Sequence, residues 1–230
     1  MKNSLKGILF IVLLAALSAC KKNDDAPKIA AATNLDVINA SGDTVNFYLN
    51  GSRLNNNNNL YPASASGYFG VLAGAQNYQV KKIFNPVTSS VQTLFNKPLT
   101  LSADSNYSLF IAGETAALAF RTIDTLLRDD SLNTCLVRFV NASPNSGSLS
   151  MALGDTVQFK SQVFQSATGF VLVGISGKKP IKVYQAGSET PVFLSNIQLL
   201  QGKSYTIFAK GKAGGTGTSA FGLGATVNVN

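Results

Sequence analysis

The apolar positions of this chain alternate. Val45, Phe47 and Leu49 take every second place before the Asn50-Gly51 turn, and Leu149, Met151 and Leu153 do the same before Gly154. Tyr107, Leu109 and Ile111 alternate, as do Tyr205, Ile207 and Ala209. A period of two sends successive side chains to opposite faces of a strand, so these segments predict half-buried β-strands. Clusters of turn formers, "NASGD", "NASPNSG" and "SADSN", separate them. No long stretch carries helical periodicity.

The pattern also returns. "VINAS" (Val37–Ser41) comes back as "FVNAS" (Phe139–Ser143), "SGYFGVLAG" (Ser66–Gly74) as "TGFVLVGISG" (Thr168–Gly177), and "NYSLFIAG" (Asn106–Gly113) as "SYTIFAKG" (Ser204–Gly211). The first and last pairs are offset by 102 and 98 positions. Two copies of one domain-sized unit are expected, over residues 34–126 and 135–230, joined by a linker at 127–134. From Gly67 to Leu99 is 32 positions, and from Gly169 to Ile197 is 28, so the first copy carries four extra residues, placed in "FNPVTSS" (Phe84–Ser90). The Asn55–Asn59 run reads as a solvent loop. About seven strands per copy suit a β-sandwich.

Tyr107 follows Leu101 by six positions, and Tyr205 follows Leu199 by six. This resembles the tyrosine corner of immunoglobulin- and fibronectin-like domains, in which the hydroxyl bonds upstream backbone. The fold class expected is therefore all-β, with two tandem immunoglobulin/fibronectin-like sandwiches. The block "RFVNASP" (Arg138–Pro144), the small-Gly-aromatic step and "Y-x-[LI]-F" before glycine resemble domain-of-unknown-function family 4397. The first copy departs from it, with "DVINASG" lacking the Arg and the Pro. The resemblance implies a β-sandwich in an exported, lipid-anchored chain. It carries over no catalytic residue.

The first nineteen residues have a different pattern: Lys2 and Lys6, the unbroken apolar run "GILFIVLLAAL", then small residues before Cys20. That is the layout of a secretory leader, and the run is short for a membrane span, which needs about 20 apolar residues. "LSAC" resembles the lipobox of bacterial lipoproteins. The resemblance implies that Cys20 is lipidated and becomes the mature N-terminus, held in a membrane by its acyl chains. Residues 20–33 then form the lipidated Cys and a linker. Asp24 and Asp25 resemble the acidic tag that sends Bacteroidetes lipoproteins to the outer face of the outer membrane, although Lys21 and Lys22 precede them. A plain solvated tether is the competing reading. The expected location is the outer membrane, lipid-anchored and exposed at the cell surface.

Composition narrows the chemistry. Removing the leader leaves 17 basic residues against 11 acidic, a net +6, with no run of more than two like charges. No nucleic-acid partner is expected. There is no histidine and no tryptophan, which excludes zinc sites and catalytic triads built on His. Glu114 and Glu189 are the two glutamates. Cys135 shares a strand face with Val137 and Phe139 and reads as a core residue, so no structural disulfide is available. No metal, cofactor or catalytic residue is expected.

Two motifs invite function. Asn39-Ala40-Ser41 and Asn141-Ala142-Ser143 match a glycosylation string, but Asn and Ser at a strand end also close a turn on backbone, which is the stronger reading. Asp, then Ser or Thr, then an apolar residue occurs four times, where roughly one would arise by composition. The pattern resembles the O-glycosylation sequon of exported Bacteroidetes proteins and names Thr44, Thr125, Ser131 and Thr156 as acceptors. Local turn chemistry is the competing account. The expected function is a non-catalytic envelope module for binding or adhesion. Its partner would be a glycan or an envelope protein, with the membrane held through the N-terminal lipid. A periplasm-facing structural subunit is the alternative, and an enzyme comes third.

Overall fold

The computed structural model describes residues 31–55, 58–85, 90–125, 132–155 and 157–229. Cys20, Asp24, Asp25, Ser131 and Thr156 lie outside them. The described chain is built of strands, with two three-residue 3-10 turns and no α-helix among the described residues.

The first eight strands are β1 (Ala32–Asn39), β2 (Val45–Leu49), β3 (Ser52–Arg53), β4 (Ala65–Leu72), β5 (Gly74–Asn85), β6 (Ser90–Leu101), β7 (Asn106–Ile111) and β8 (Ala119–Ile123). They form two sheets, ordered β4-β1-β7-β8 and β3-β2-β5-β6. Leu35, Val37, Phe47, Val80, Leu101, Tyr107 and Leu109 fill the space between those sheets. A second sandwich follows. Its strands are β9 (Thr134–Asn141), β10 (Leu149–Leu153), β11 (Val157–Gln162), β12 (Ser166–Ala167), β13 (Val171–Gly174), β14 (Lys178–Gln185), β15 (Phe193–Gln198), β16 (Ser204–Lys210) and β17 (Gly222–Val229). Its sheets run β12-β9-β16-β17, with β13 also on β9, and β11-β10-β14-β15. Cys135, Val137, Phe139, Met151, Val183 and Ile207 make its core. The β-sandwich architecture is thus present in both halves.

Both sandwiches place a parallel pair at the centre of one sheet: β1 with β7, and β9 with β16. Those sheets are covered on both faces, which is why the last five residues of β1 and of β9 are all buried rather than buried in alternation. The outer faces of the two sheets meet each other. Ile38, Ala40, Phe110 and Ala112 from the first pack on Val140, Ala142 and Phe208 from the second. Phe110 stacks on Phe120 at 5.0 Å and meets Phe208 edge-on at 5.9 Å. Opposite Phe208 stands Gly224, where a Cβ would come within 2.2 Å of the ring. A glycine there gives the phenyl ring its place. Four sheets therefore stack through three apolar layers, and residues 31–230 form one compact unit.

The tyrosine corners are present. The Tyr107 hydroxyl accepts the Ser102 N–H at 3.1 Å, and the Tyr205 hydroxyl accepts the Leu200 N–H at 3.0 Å. Cys135 is fully buried in the second core. The length difference between the sandwiches lies in the β5–β6 hairpin. Val80 pairs with Phe95, 15 positions on, whereas Val183 pairs with Phe193, 10 positions on.

Candidate functional site

The joint between the sandwiches holds a closed polar network. Arg138 sits between Val137 and Phe139 on β9 and points from the second core toward the first sandwich. Its Nη2 donates to Asp124 Oδ1 at 2.6 Å, and both side chains are buried. Asp124 also accepts from the Tyr68 hydroxyl at 2.7 Å, the Ser108 hydroxyl at 2.5 Å and the Thr122 hydroxyl at 3.0 Å. Arg138 Nε donates to Thr206 Oγ1 at 2.8 Å, the Thr206 hydroxyl donates to Asn228, and Asn228 Nδ2 donates to the Tyr68 oxygen at 3.0 Å. Asp36 lies beside this set. Its Oδ1 accepts from Ser66, while Oδ2 has no hydrogen-bond partner. Burial pushes the Asp36 carboxyl up to about 6, helped by the Asp124 charge and opposed by the Ser66 hydrogen bond. Burial, then the Asp124 charge, holds the Tyr68 hydroxyl above its usual range. The network joins the two halves; Arg138, Asp124, Ser108, Thr206, Asn228 and Asp36 are buried, with Tyr68, Thr122 and Ser66 half-buried at its rim, so it reads as architecture.

The open site is at one end of the joint. The carboxyl ends of β1, β7, β9 and β16 all arrive there, because the two central pairs are parallel. The loops that follow them bound a cleft of about 330 Å³, lined by residues of both sandwiches such as Asp43, Glu114, Pro144, Lys212 and Ser219. The two Asn-Ala-Ser turns lead into it, placing Ser41 and Pro144 on its lining. Asn39 donates to the carbonyls of Asp43 and Leu60 at 2.7 and 2.8 Å and accepts from the Ser41 N–H at 3.0 Å. Asn141 donates to Gly147 and Gln162 carbonyls at 3.0 and 2.9 Å and accepts from the Ser143 N–H at 3.1 Å. Both asparagines are buried, and their amides hold turns, as the structural reading expects. The Gly211 N–H donates across the joint to the Ala40 carbonyl at 3.0 Å. Gly42 lies so close to Ser219 that a Cβ would fall 2.1 Å from its Oγ. The cleft is therefore held by backbone from both sides.

Its two acids share one lysine. Lys82 Nζ lies 2.6 Å from Asp43 and 2.7 Å from Glu114. The Lys82 ammonium, donating to Glu114 and adding its charge, holds that carboxyl below its usual range, and the bonds Lys82 makes to Asp43 and then to Glu114 hold the ammonium above its own. The structure thus brings two acids into one cleft, but with a cation clamped between them. Among the described residues no group of three or more His, Cys, Asp or Glu could hold a metal ion. This cleft was missed by reading the sequence: Asp43, Lys82 and Glu114 are 39 and 32 positions apart in turn.

The remaining expected sites scatter. Thr44 is half-buried, and its carbonyl accepts the Ile83 N–H at 3.0 Å. Thr125 is exposed just beyond β8, next to the buried Asp124. Cys20, Ser131 and Thr156 fall outside the described residues.

The family model described as Domain of unknown function (DUF4397) matches residues 33–152. The chain belongs to this family. The DUF4397 match takes in the first sandwich, β9 and most of β10, hence both Asn-Ala-Ser turns, the Lys82 cluster and Arg138. No curated protein matches. Among solved structures, a streptococcal one titled "Alpha-glucan binding by a streptococcal virulence factor" is similar at 11% identity, over 76% of this chain and 92% of that one, with a TM-score of 0.24. That superposition is too loose to transfer anything to this chain.

Proposed function

We propose that the mature protein is a non-catalytic module of the cell envelope, anchored to the outer membrane by lipid on Cys20. It binds a glycan or another envelope protein at the cell surface. The observation that carries the reading is the cleft at the joint. Loops from both sandwiches converge on it, as binding loops do on a rigid scaffold, and its two carboxylates are tied to one lysine. A hydrolase working by paired acids needs one of them protonated, and Lys82 pulls Glu114 the other way.

The test is capture from intact envelopes with the lipidated chain as bait. Lys212→Glu and Thr115→Arg, which change the cleft without touching the buried network, are expected to lose the captured partner. Cys20→Ala is expected to leave the precursor uncleaved and unacylated, as mass spectrometry would show. Hydrolysis of a glycan or ester that disappears in Asp43→Asn or Glu114→Gln would replace this reading by an enzyme. Protection of the chain from protease on whole cells would move it to the periplasmic side, as a structural subunit.

A further inference from the structure

The net charge is concentrated in one sandwich. Among the described residues, 31–125 hold five basic and five acidic side chains, and 132–229 hold eight basic and two acidic. Three of these eight basic residues share the outward face of the sheet β11-β10-β14-β15. Met151, Phe159, Ile181 and Val183 point into the core. The alternate positions therefore point out, and they carry Lys160, Lys178, Lys182, Tyr184 and Leu194. Lys182 stands opposite Ala152 on one side and Leu194 on the other. Lys160 is two strands away and about two residues along, roughly 12 Å, and Lys178 is four residues along the same strand, roughly 13 Å. Among the described residues no ion pair engages these three lysines. The matching face of the first sandwich offers Lys81, which sits 4.1 Å over the Tyr48 ring, and Arg53, which pairs across from Tyr48.

A second feature lies on the same face. Ser161 has φ 53°, a left-handed conformation that a serine rarely adopts, and the β10–β11 register slips between Leu149 and Met151. Its N–H donates to Ser150 Oγ at 3.0 Å, which holds the bulge. Beside it opens a notch of about 350 Å³ lined by Lys160, Ser161, Tyr184, Gln185, Ser188 and Glu189.

We propose that this face binds an acidic polysaccharide. The notch offers what a sugar ring needs: a half-exposed aromatic side, and hydroxyl and amide groups around it. Lys160, Lys178 and Lys182 meet the carboxylates or phosphates along the polymer, and Glu189 at the notch rim excludes an anionic group from that corner. Leu194 is the exposed large apolar side chain at the centre of the face; a lipid surface would need several such residues beside the charge, and no polar notch. The site rests on the envelope-binding reading and is separate from the cleft.

The experiment uses the full lipidated chain in neutral detergent, with polygalacturonate as probe and dextran as its neutral counterpart. Binding to polygalacturonate is expected, weakening as salt rises. Replacing Lys160, Lys178 and Lys182 together with Gln should weaken it roughly tenfold or more. Tyr184→Ala should weaken it as well, and Lys81→Gln should leave it unchanged. Unchanged melting temperatures establish that the variants are folded, and Tyr184→Phe, which keeps the ring, should retain binding if Tyr184→Ala does not fold. Equal binding of dextran, or no effect of the triple substitution, overturns the proposal. So does binding to phosphatidylglycerol-doped micelles that depends on the lysines but not on Tyr184, which would make the face a lipid surface. If polygalacturonate fails while the envelope capture succeeds, the acidic-glycan site is wrong and the envelope reading stands.

Discussion

Asp36 is a carboxyl in a place that suits the neutral form. It is fully buried, its Oδ2 has no hydrogen-bond partner, and Asp124 adds a like charge. Its pKa rises from the ordinary 3.8 to about 6, so the folded state prefers the proton that the unfolded chain releases. The stability this contributes is complete below the unfolded value and is lost as pH rises through about 6. The shift corresponds to about 3 kcal/mol. Asp36→Asn removes the titration, so relative to wild type the variant should gain up to about 3 kcal/mol between about pH 4 and pH 7.5. Urea unfolding at the two pH values measures this, and parallel pH dependences for the two proteins would refute it. Position 36 also explains a difference visible in the sequence. The "DVINASG" of the first sandwich and the "RFVNASP" of the second put Asp36 and Arg138 at matching places, so the departure from the family pattern is a charge reversal at the joint.

At the scale of elements, the tyrosine corners pin each sandwich where the chain crosses between sheets. Each hydroxyl accepts one backbone N–H, a bond worth about 1 kcal/mol net. Tyr107→Phe and Tyr205→Phe should each lower the unfolding free energy by about that much without changing the spectrum of the folded state. A loss below a few tenths in denaturant titrations would mean that the ring alone carries the corner. These corners were legible because their spacing is local. So were the strands whose apolar residues alternate, and the Asn-Ala-Ser turns, whose bonds reach mainly to nearby backbone. The joint was not legible. Ile38, Phe110, Val140 and Phe208 occupy the other parity of strands already assigned one buried face. A second buried face erases the alternation that marks a strand. The lysine face was hidden for a related reason: Lys178 and Lys182 share a side by alternation, while Lys160 reaches it through the sheet, so no charge run betrays them.

At the scale of the molecule, the joint is a pairing of like faces made unlike. The strand registers align Asp36 with Arg138, Ser108 with Thr206, Asp124 with Asn228, Tyr68 with Phe170 and Phe120 with Gly224. Two copies of the first face would bring four carboxylates together, and two copies of the second would oppose two arginines. The mixed pair instead sets Arg138 against Asp124 and brings Phe110 edge-on to Phe208. Charge thus selects one sandwich for the other, a specificity that apolar packing alone does not give. Removing one member of a buried pair leaves the other uncompensated, at about 3–5 kcal/mol. Arg138→Leu should therefore destabilise the protein by about that amount. It should act on the joint before either core, since neither Arg138 nor Asp124 belongs to the sandwich cores. Scanning calorimetry is the measurement. Wild type should unfold in one transition whose calorimetric and van't Hoff enthalpies agree. Arg138→Leu should split into two, and the double variant Arg138→Leu, Asp124→Leu should recover much of the loss, because it leaves no charge stranded. Two transitions in wild type would show that the sandwiches unfold independently. A double variant no better than the single one would show that the pair acts through its hydrogen bonds to Thr206, Tyr68 and Ser108 rather than through its charges.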